Sequence, residues 1–300
     1  MEFNKVIYIN SEEVFLLHEK LKEIKMSFIN QHLDFNYREF PNEINAAILR
    51  NEIETYPLMA EKKMIVLKEI KEDDEMVKLF QDIPDFCSII IVATLDKRKK
   101  LFKSIKKIGE VIELKPYNES QMVNWIVKKA EESGIKISKK CASKIISLCG
   151  LDDMYNIYTE IIKLSNMNQE ITEELIEKVV TKSIEYDSFQ IVNAISNKDK
   201  ANAYQLIHNF CQRNEYFPLI VSLINRNFAI LKMMKTMKDN EIKDAAGIHP
   251  YSLKVLKPYV KQFNEENLDF YINVCSEIDF DMKNGIDHRI ALEKLIGVIE

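Results

Sequence analysis

The run from Cys87 to Leu95 is apolar almost throughout, interrupted only by Ser88 and Thr94. A strand of that kind has no polar face to give to water, so it belongs in the middle of a parallel sheet covered on both sides. The segments around it fit the same architecture. Val6 to Ile9 reads as a strand, Val14 to Ile24 as an amphipathic helix, and Leu33 to Tyr37 as a short strand. A helix is expected over Ile44 to Ile53 and a strand over Met64 to Ile70, while Val111 to Leu114 supplies the last strand. This alternation predicts a doubly wound, mostly parallel α/β domain over residues 1–115.

From Pro116 the apolar spacing becomes helical. Asn118 with Gln121 three residues on forms a capping-box pattern, and the helix that follows should stop before Gly134. Ser138 is placed to start a helix ending near Gly150, and Thr172 to start another with Leu175, Ile176, Val179 and Val180 on its apolar face. Residues 116–184 therefore read as a small helical domain. Residues 185–300 read as a second all-helical domain, punctuated by Phe217-Pro218 and His249-Pro250-Tyr251.

A strand, a turn and a helix at the start of an α/β sheet are where a nucleotide-binding domain keeps its phosphate loop. Here the turn is Asn10-Ser11-Glu12-Glu13, and the first glycine of the chain is Gly109. A phosphate cradle needs glycines, so that backbone N–H groups can converge on the anion, and a lysine for the outer phosphates. Two carboxylates occupy that place instead, and no nucleotide cofactor is expected.

Other chemistry is not indicated. Histidines 18, 32, 208, 249 and 288 show no metal-ligand spacing, and GxSxG and CxxC patterns are absent. Cys87, Cys141, Cys149, Cys211 and Cys275 lie far apart among apolar neighbours, as reduced core thiols do, so neither disulfides nor zinc are expected. Asp73-Asp74-Glu75 and Glu12-Glu13 read as loop and helix-start charges. No apolar run is expected to reach the roughly 18 residues of a membrane span, and the N-terminus is expected to open on a strand instead of a basic and apolar leader, which suits a cytoplasmic protein. A net charge of −5 restricts any nucleic-acid contact to a local basic face.

Two segments stand out as candidate binding surfaces. Between Asp96 and Lys107 lie Lys97, Arg98, Lys99, Lys100, Lys103, Lys106 and Lys107, with Leu101, Phe102, Ile105 and Ile108 at helical spacing. That pattern suits a helix with a solvated basic side, and equally a stripe that meets DNA phosphates or an acidic partner. The second segment is Tyr56-Pro57-Leu58-Met59, just before the strand at Met64. Pro57 suits the first turn of a short helix, in which the adjacent Leu58 and Met59 would point about 100° apart and could not share one narrow buried stripe. Either both belong to the end of the core or at least one is exposed as an anchor for a partner's apolar pocket.

Along its whole length the chain resembles the delta-subunit family of the bacterial DNA polymerase III clamp loader. The resemblance rests on an ordered set: Ser11-Glu12-Glu13-Val14-Phe15, Leu58-Met59, Asp96-Lys97-Arg98-Lys99-Lys100-Leu101, Pro116-Tyr117, Trp125-Ile126, and Glu160-Ile161-Ile162-Lys163-Leu164. Phe217-Pro218, Asn225-Arg226-Asn227-Phe228, His249-Pro250-Tyr251 and Asp281-Met282-Lys283-Asn284-Gly285 complete it.

The resemblance implies an AAA+ fold without a phosphate loop, then a helical lid and a helical collar. It implies a non-catalytic component of the DNA-directed DNA polymerase holoenzyme that binds and opens the beta sliding clamp for loading onto primed DNA. The partners it implies are that clamp, the gamma/tau and delta prime subunits, and primer-template DNA in the assembled complex. A hydrophobic pair, usually Leu-Phe in the family, would enter a pocket on the clamp, and it falls on Leu58 and Met59. Methionine in place of phenylalanine keeps bulk and softness and gives up ring packing. The family's glycine in the first turn is replaced by Asn10 or Ser11. Alternatives are an active AAA+ ATPase with an unusual phosphate site, a delta-prime-like subunit, and a helical DNA-binding scaffold. Against the second, the Ser-Arg-Cys motif and zinc-binding cysteines are missing, and the nearest string is Ser147-Leu148-Cys149.

Overall fold

The structure is a computed structural model and describes residues 4–28, 32–213 and 216–299. The chain divides into two compact units, Met1–Pro116 and Tyr117–Glu300.

The first unit alternates β1 (Val6–Ser11), α1 (Val14–Ser27), α2 (Leu33–Asn36), β2 (Tyr37–Phe40), α3 (Ala46–Glu54), β3 (Lys63–Leu67), α4 (Asp74–Leu79), β4 (Cys87–Ile91), α5 (Lys100–Ile108) and β5 (Glu110–Leu114). The strands form one sheet in the order β2-β3-β4-β1-β5, and every pairing is parallel. β4 lies at its centre with all five residues buried, as its apolar run requires.

Strand order and crossover handedness decide which helix covers which face. The connection from β1 to β2 runs one way across the sheet, and those from β2 through β5 run back, so right-handed crossovers put α1 on one face and α3, α4 and α5 on the other. The core follows this division. Tyr8, Ile65, Leu67, Ile89 and Ile91 pack with Leu49, Ile53, Met76, Leu79, Leu101, Phe102 and Ile105, while Ile9, Met64, Val66 and Ile90 pack with Ile24 and Phe28.

Boundaries depart from the sequence expectation where loops are apolar. The strand expected at Leu33 to Tyr37 is a helical turn followed by β2 from Tyr37. β4 stops at Ile91, and Leu95 is buried as part of a loop whose N–H is donated to the Tyr8 hydroxyl at 3.2 Å.

The second unit is helical throughout its described residues: α6 (Glu119–Glu132), α7 (Lys139–Cys149), α8 (Met154–Ser165), α9 (Glu173–Val179), α10 (Ile184–Ser196), α11 (Lys200–Gln212), α12 (Phe217–Thr236), α13 (Asp239–Ala246), α14 (Pro250–Leu256), α15 (Glu265–Lys283) and α16 (His288–Gly297). The Asn118–Gln121 capping box forms in both directions at 3.0 Å, and Ser138 and Thr172 cap α7 and α9.

One core joins α10 to α16 around Phe228, which stacks on Tyr271 at 5.0 Å. Phe228 lies on α12, a 20-residue helix with mean hydropathy 1.2, long and apolar enough by length and composition to cross a membrane. The expectation that no apolar run approaches that length is corrected here. Ile220, Val221, Ile224, Phe228, Ile230 and Leu231 of α12 are buried in the core.

Candidate functional site

The turn between β1 and α1 is closed by its own side chains. The Glu13 carboxylate accepts the Phe15 N–H at 3.0 Å and so caps α1, in the place where a helix N-terminus would receive a phosphate. The Glu13 N–H is donated to the Ser11 hydroxyl at 3.1 Å, and the Glu12 N–H to the Leu114 carbonyl at 3.1 Å. Three backbone donors of this turn, those of Glu12, Glu13 and Phe15, are thus already engaged. A fixed negative charge stands at the positive end of the helix.

The segment from Tyr56 to Lys62, between α3 and β3, is not helical. Both apolar residues of interest are exposed there, Leu58 by 54% and Met59 by 86%. Neither belongs to the core, so the exposed placement is the one the loop adopts, and the short helix does not form.

Exposed apolar side chains on a loose loop would collapse onto the surface, but this loop is pinned along its length. The buried amide of Asn36, at the end of α2, donates to the Leu58 carbonyl at 2.9 Å and accepts the Leu58 N–H at 2.7 Å. Tyr56 stacks on Phe86 with ring centroids 4.7 Å apart. The Lys63 N–H is donated to the Phe86 carbonyl at 2.8 Å, and the Lys62 ammonium is donated to the Asp85 carbonyl.

Lys63 is itself buried. Its ammonium is donated to the Thr55 carbonyl at 2.9 Å and to the Glu52 carbonyl, which caps the C-terminus of α3. Burial holds the Lys63 amine below its ordinary value. Met59 adopts φ +52, a left-handed conformation that costs a non-glycine residue about 1 to 2 kcal/mol. The surrounding bonds must offset that cost, which marks Met59 as held in place.

The basic stripe lies on the exposed side of α5 and the turn before it. Leu101, Phe102 and Ile105 are buried under it. Four of the five candidate cations meet carboxylates of the same unit: Lys97 pairs with Glu113 at 2.5 Å, Arg98 with Asp96 at 2.9 Å, Lys99 with Glu72 at 3.3 Å, and Lys100 with Asp74 at 3.0 Å. Lys103 is exposed and has no ion pair among the described residues. Exposed pairs of this kind contribute at most about 1 kcal/mol each, so they can be exchanged for another anion. Asp73 caps α4 by accepting the Met76 N–H at 3.0 Å, which accounts for the first of the clustered carboxylates. A cavity of about 710 Å³ runs along α1, between Leu17, Leu21 and Lys25 on one side and Glu39, Lys68 and Val92 on the other. Neither the Leu58-Met59 pair nor the basic stripe lines it.

Two family models match the chain: "DNA polymerase III, delta subunit" over residues 9–115, and "DNA polymerase III delta subunit, C-terminal domain" over residues 185–298. The chain belongs to the DNA polymerase III delta-subunit family. A relative from Bacillus subtilis, DNA polymerase III subunit delta, is 25% identical across 97% of this chain and 92% of its own length. The solved structure of the Bacillus subtilis DNA clamp loader delta protein (YqeN) superposes with a TM-score of 0.72 at 22% identity, covering 99% of this chain and 96% of that one. The expected fold, an AAA+-like parallel sheet followed by helices, is therefore the fold of this delta-family chain.

Asn36 and Lys63 were not legible as site residues. Asn36 lies in the segment whose pattern predicts a strand, and the depletion of asparagine from strands is its one local signal. Lys63 opens a fully buried strand, where only tertiary contacts give an ammonium its partners.

Proposed function

We propose that this chain is the clamp-opening subunit of a DNA polymerase III clamp loader, gripping the beta sliding clamp through Leu58 and Met59. The observation that carries this reading is the pinned loop that exposes two adjacent apolar side chains. Seated in an apolar pocket, each would contribute roughly 1.5 to 3 kcal/mol, a two-residue hot spot. Opening then requires that the loop and its surroundings bind the distorted ring better than the closed one, because a partner shifts an equilibrium only by its differential affinity.

In this reading the chain hydrolyses no ATP, and the turn at Asn10 to Glu13 takes no nucleotide. Timing comes from ATP-binding gamma/tau neighbours, and residues 185–300 form the collar that joins them and delta prime, with residues 116–184 as a lid. Primer-template DNA enters only in the assembled complex, where the stripe at Lys97, Arg98, Lys99, Lys100 and Lys103 is its candidate contact. The setting is the cytoplasm.

The deciding experiment is surface plasmon resonance with the sliding clamp of the same organism. Leu58→Ala with Met59→Ala should weaken binding by about 3 kcal/mol or more, at least a hundredfold, while circular dichroism is unchanged. Unchanged affinity would remove the pair from the site. Titration calorimetry with ATP should show no heat of binding, and micromolar affinity would restore the ATPase alternative.

A further inference from the structure

Leu58 and Met59 sit on a loop that a buried side chain holds from beneath. We infer that Asn36 is the positioning residue of the clamp-binding loop, an inference that rests on the reading of Leu58 and Met59 as the anchor. Its side-chain amide is the one group in the described structure that bonds both polar atoms of the Leu58 backbone, donating to the carbonyl at 2.9 Å and accepting from the N–H at 2.7 Å. A primary amide presents a donor and an acceptor side by side, as a neighbouring strand would, so it satisfies a lone backbone unit where no strand is available.

Asn36 is 4% exposed, which removes water as a competitor for those two bonds. The next residue, Met59, is held at φ +52 and is the most exposed apolar residue of the loop. A methionine left to itself abandons that conformation for the ordinary right-handed or extended regions, which turns its side chain elsewhere. Asn36 fixes the peptide immediately before it and thereby the direction in which Met59 projects. α2, a single turn between α1 and the edge strand β2, has this as its structural role: it carries Asn36 under the loop.

The two replacements closest in size or simplest in chemistry each lose part of the grip on the Leu58 backbone. Aspartate keeps the acceptor for the Leu58 N–H and loses the donor to its carbonyl, and alanine loses both. The ordering cost that the native loop has already met would then fall on binding.

The test pairs an amide-exchange measurement on the free chain with clamp affinity. In the wild type the Leu58 N–H should exchange slowly. In Asn36→Ala it should exchange at loop rates, while the sheet amides of Ile89 to Ile91 stay protected, which reports an intact fold. Clamp affinity should fall roughly tenfold in Asn36→Ala and about threefold in Asn36→Asp. In the Leu58→Ala, Met59→Ala background, Asn36→Ala should have no further effect, because a positioning residue has nothing left to position.

Fast Leu58 exchange in the wild type, or full clamp affinity in Asn36→Ala while the anchor variant has lost it, overturns the inference and leaves the clamp reading standing. An equal tenfold loss in the anchor-free background also overturns it, since Asn36 would then act elsewhere. If the anchor variant itself binds normally, the clamp reading fails and this role of Asn36 fails with it.

Discussion

The glycine that the first 108 residues lack arrives where the sheet closes. A Cβ on Gly109 would lie 2.3 Å from the Val6 carbonyl oxygen and 2.8 Å from the Val6 Cβ, and both belong to β1, the strand that β5 pairs with. Backbone cannot step aside as a flexible side chain can. Gly109→Ala should therefore push β5 off β1 and cost about 2 to 4 kcal/mol, measured by urea unfolding. A second residue-scale prediction concerns Asn227, fully buried in α12, whose amide donates to the Ser188 hydroxyl at 2.9 Å while its carbonyl oxygen has no partner in the described structure. Ser188→Ala would strand the donor as well, at a cost of about 1 to 3 kcal/mol in the same assay.

At the scale of the element, the edge strand β2 is tied to its neighbours by charge. Its Glu39 carboxylate meets Lys68 at 2.6 Å and Lys25 at 3.7 Å and accepts the Tyr37 hydroxyl. The hydrogen bond from Lys68 is the main reason its pKa lies below the ordinary 4.5, with Tyr37 next. A carboxylate with a depressed folded pKa contributes stability that is present above its unfolded value and lost as pH falls through the folded one. The window is therefore acidic, below 4.5. Glu39→Gln should lower the melting temperature near neutrality, and the gap from wild type should close by about pH 3. A gap that persists in acid would show that Glu39 acts through packing instead of charge.

Across the whole molecule the five cysteines are buried and unpaired. Burial pushes the Cys87, Cys149 and Cys275 thiols up to about 12, so none of these three is a thiolate near neutrality. A thiol reagent should label them only when the chain unfolds. Dithionitrobenzoate applied to native protein and then to protein in guanidinium should show a small early signal and five thiols after denaturation. Early reaction of Cys87 would mean that β4 is reached by local opening, because that residue lies in the central strand. The same core logic explains α12, which passes for a membrane span by composition and spends its apolar face on α10 and α15.

The sequence by itself determined the sheet, because the apolar run at Cys87 leaves a strand nowhere to go except the centre, and the polar spacing after Pro116 suits only helices. Residue types alone also show that the first turn holds neither glycine nor lysine, which is what the expectation of no phosphate loop rests on. The caps at Asn118, Ser138 and Thr172 were legible for the same reason: a cap is a contact between residues two or three apart.

What only the tertiary structure decided is the fate of Leu58 and Met59. Their adjacency left both a core and an exposed placement open, and the answer came from Asn36, 22 residues upstream, and from Lys63 and Phe86 beyond. The pairing of the basic stripe came likewise from distant acids, Glu72, Asp74 and Glu113. Periodicity records which side of an element faces a core, whereas a loop is held by bonds to residues far away in the chain, and those exist only once the sheet has brought them together.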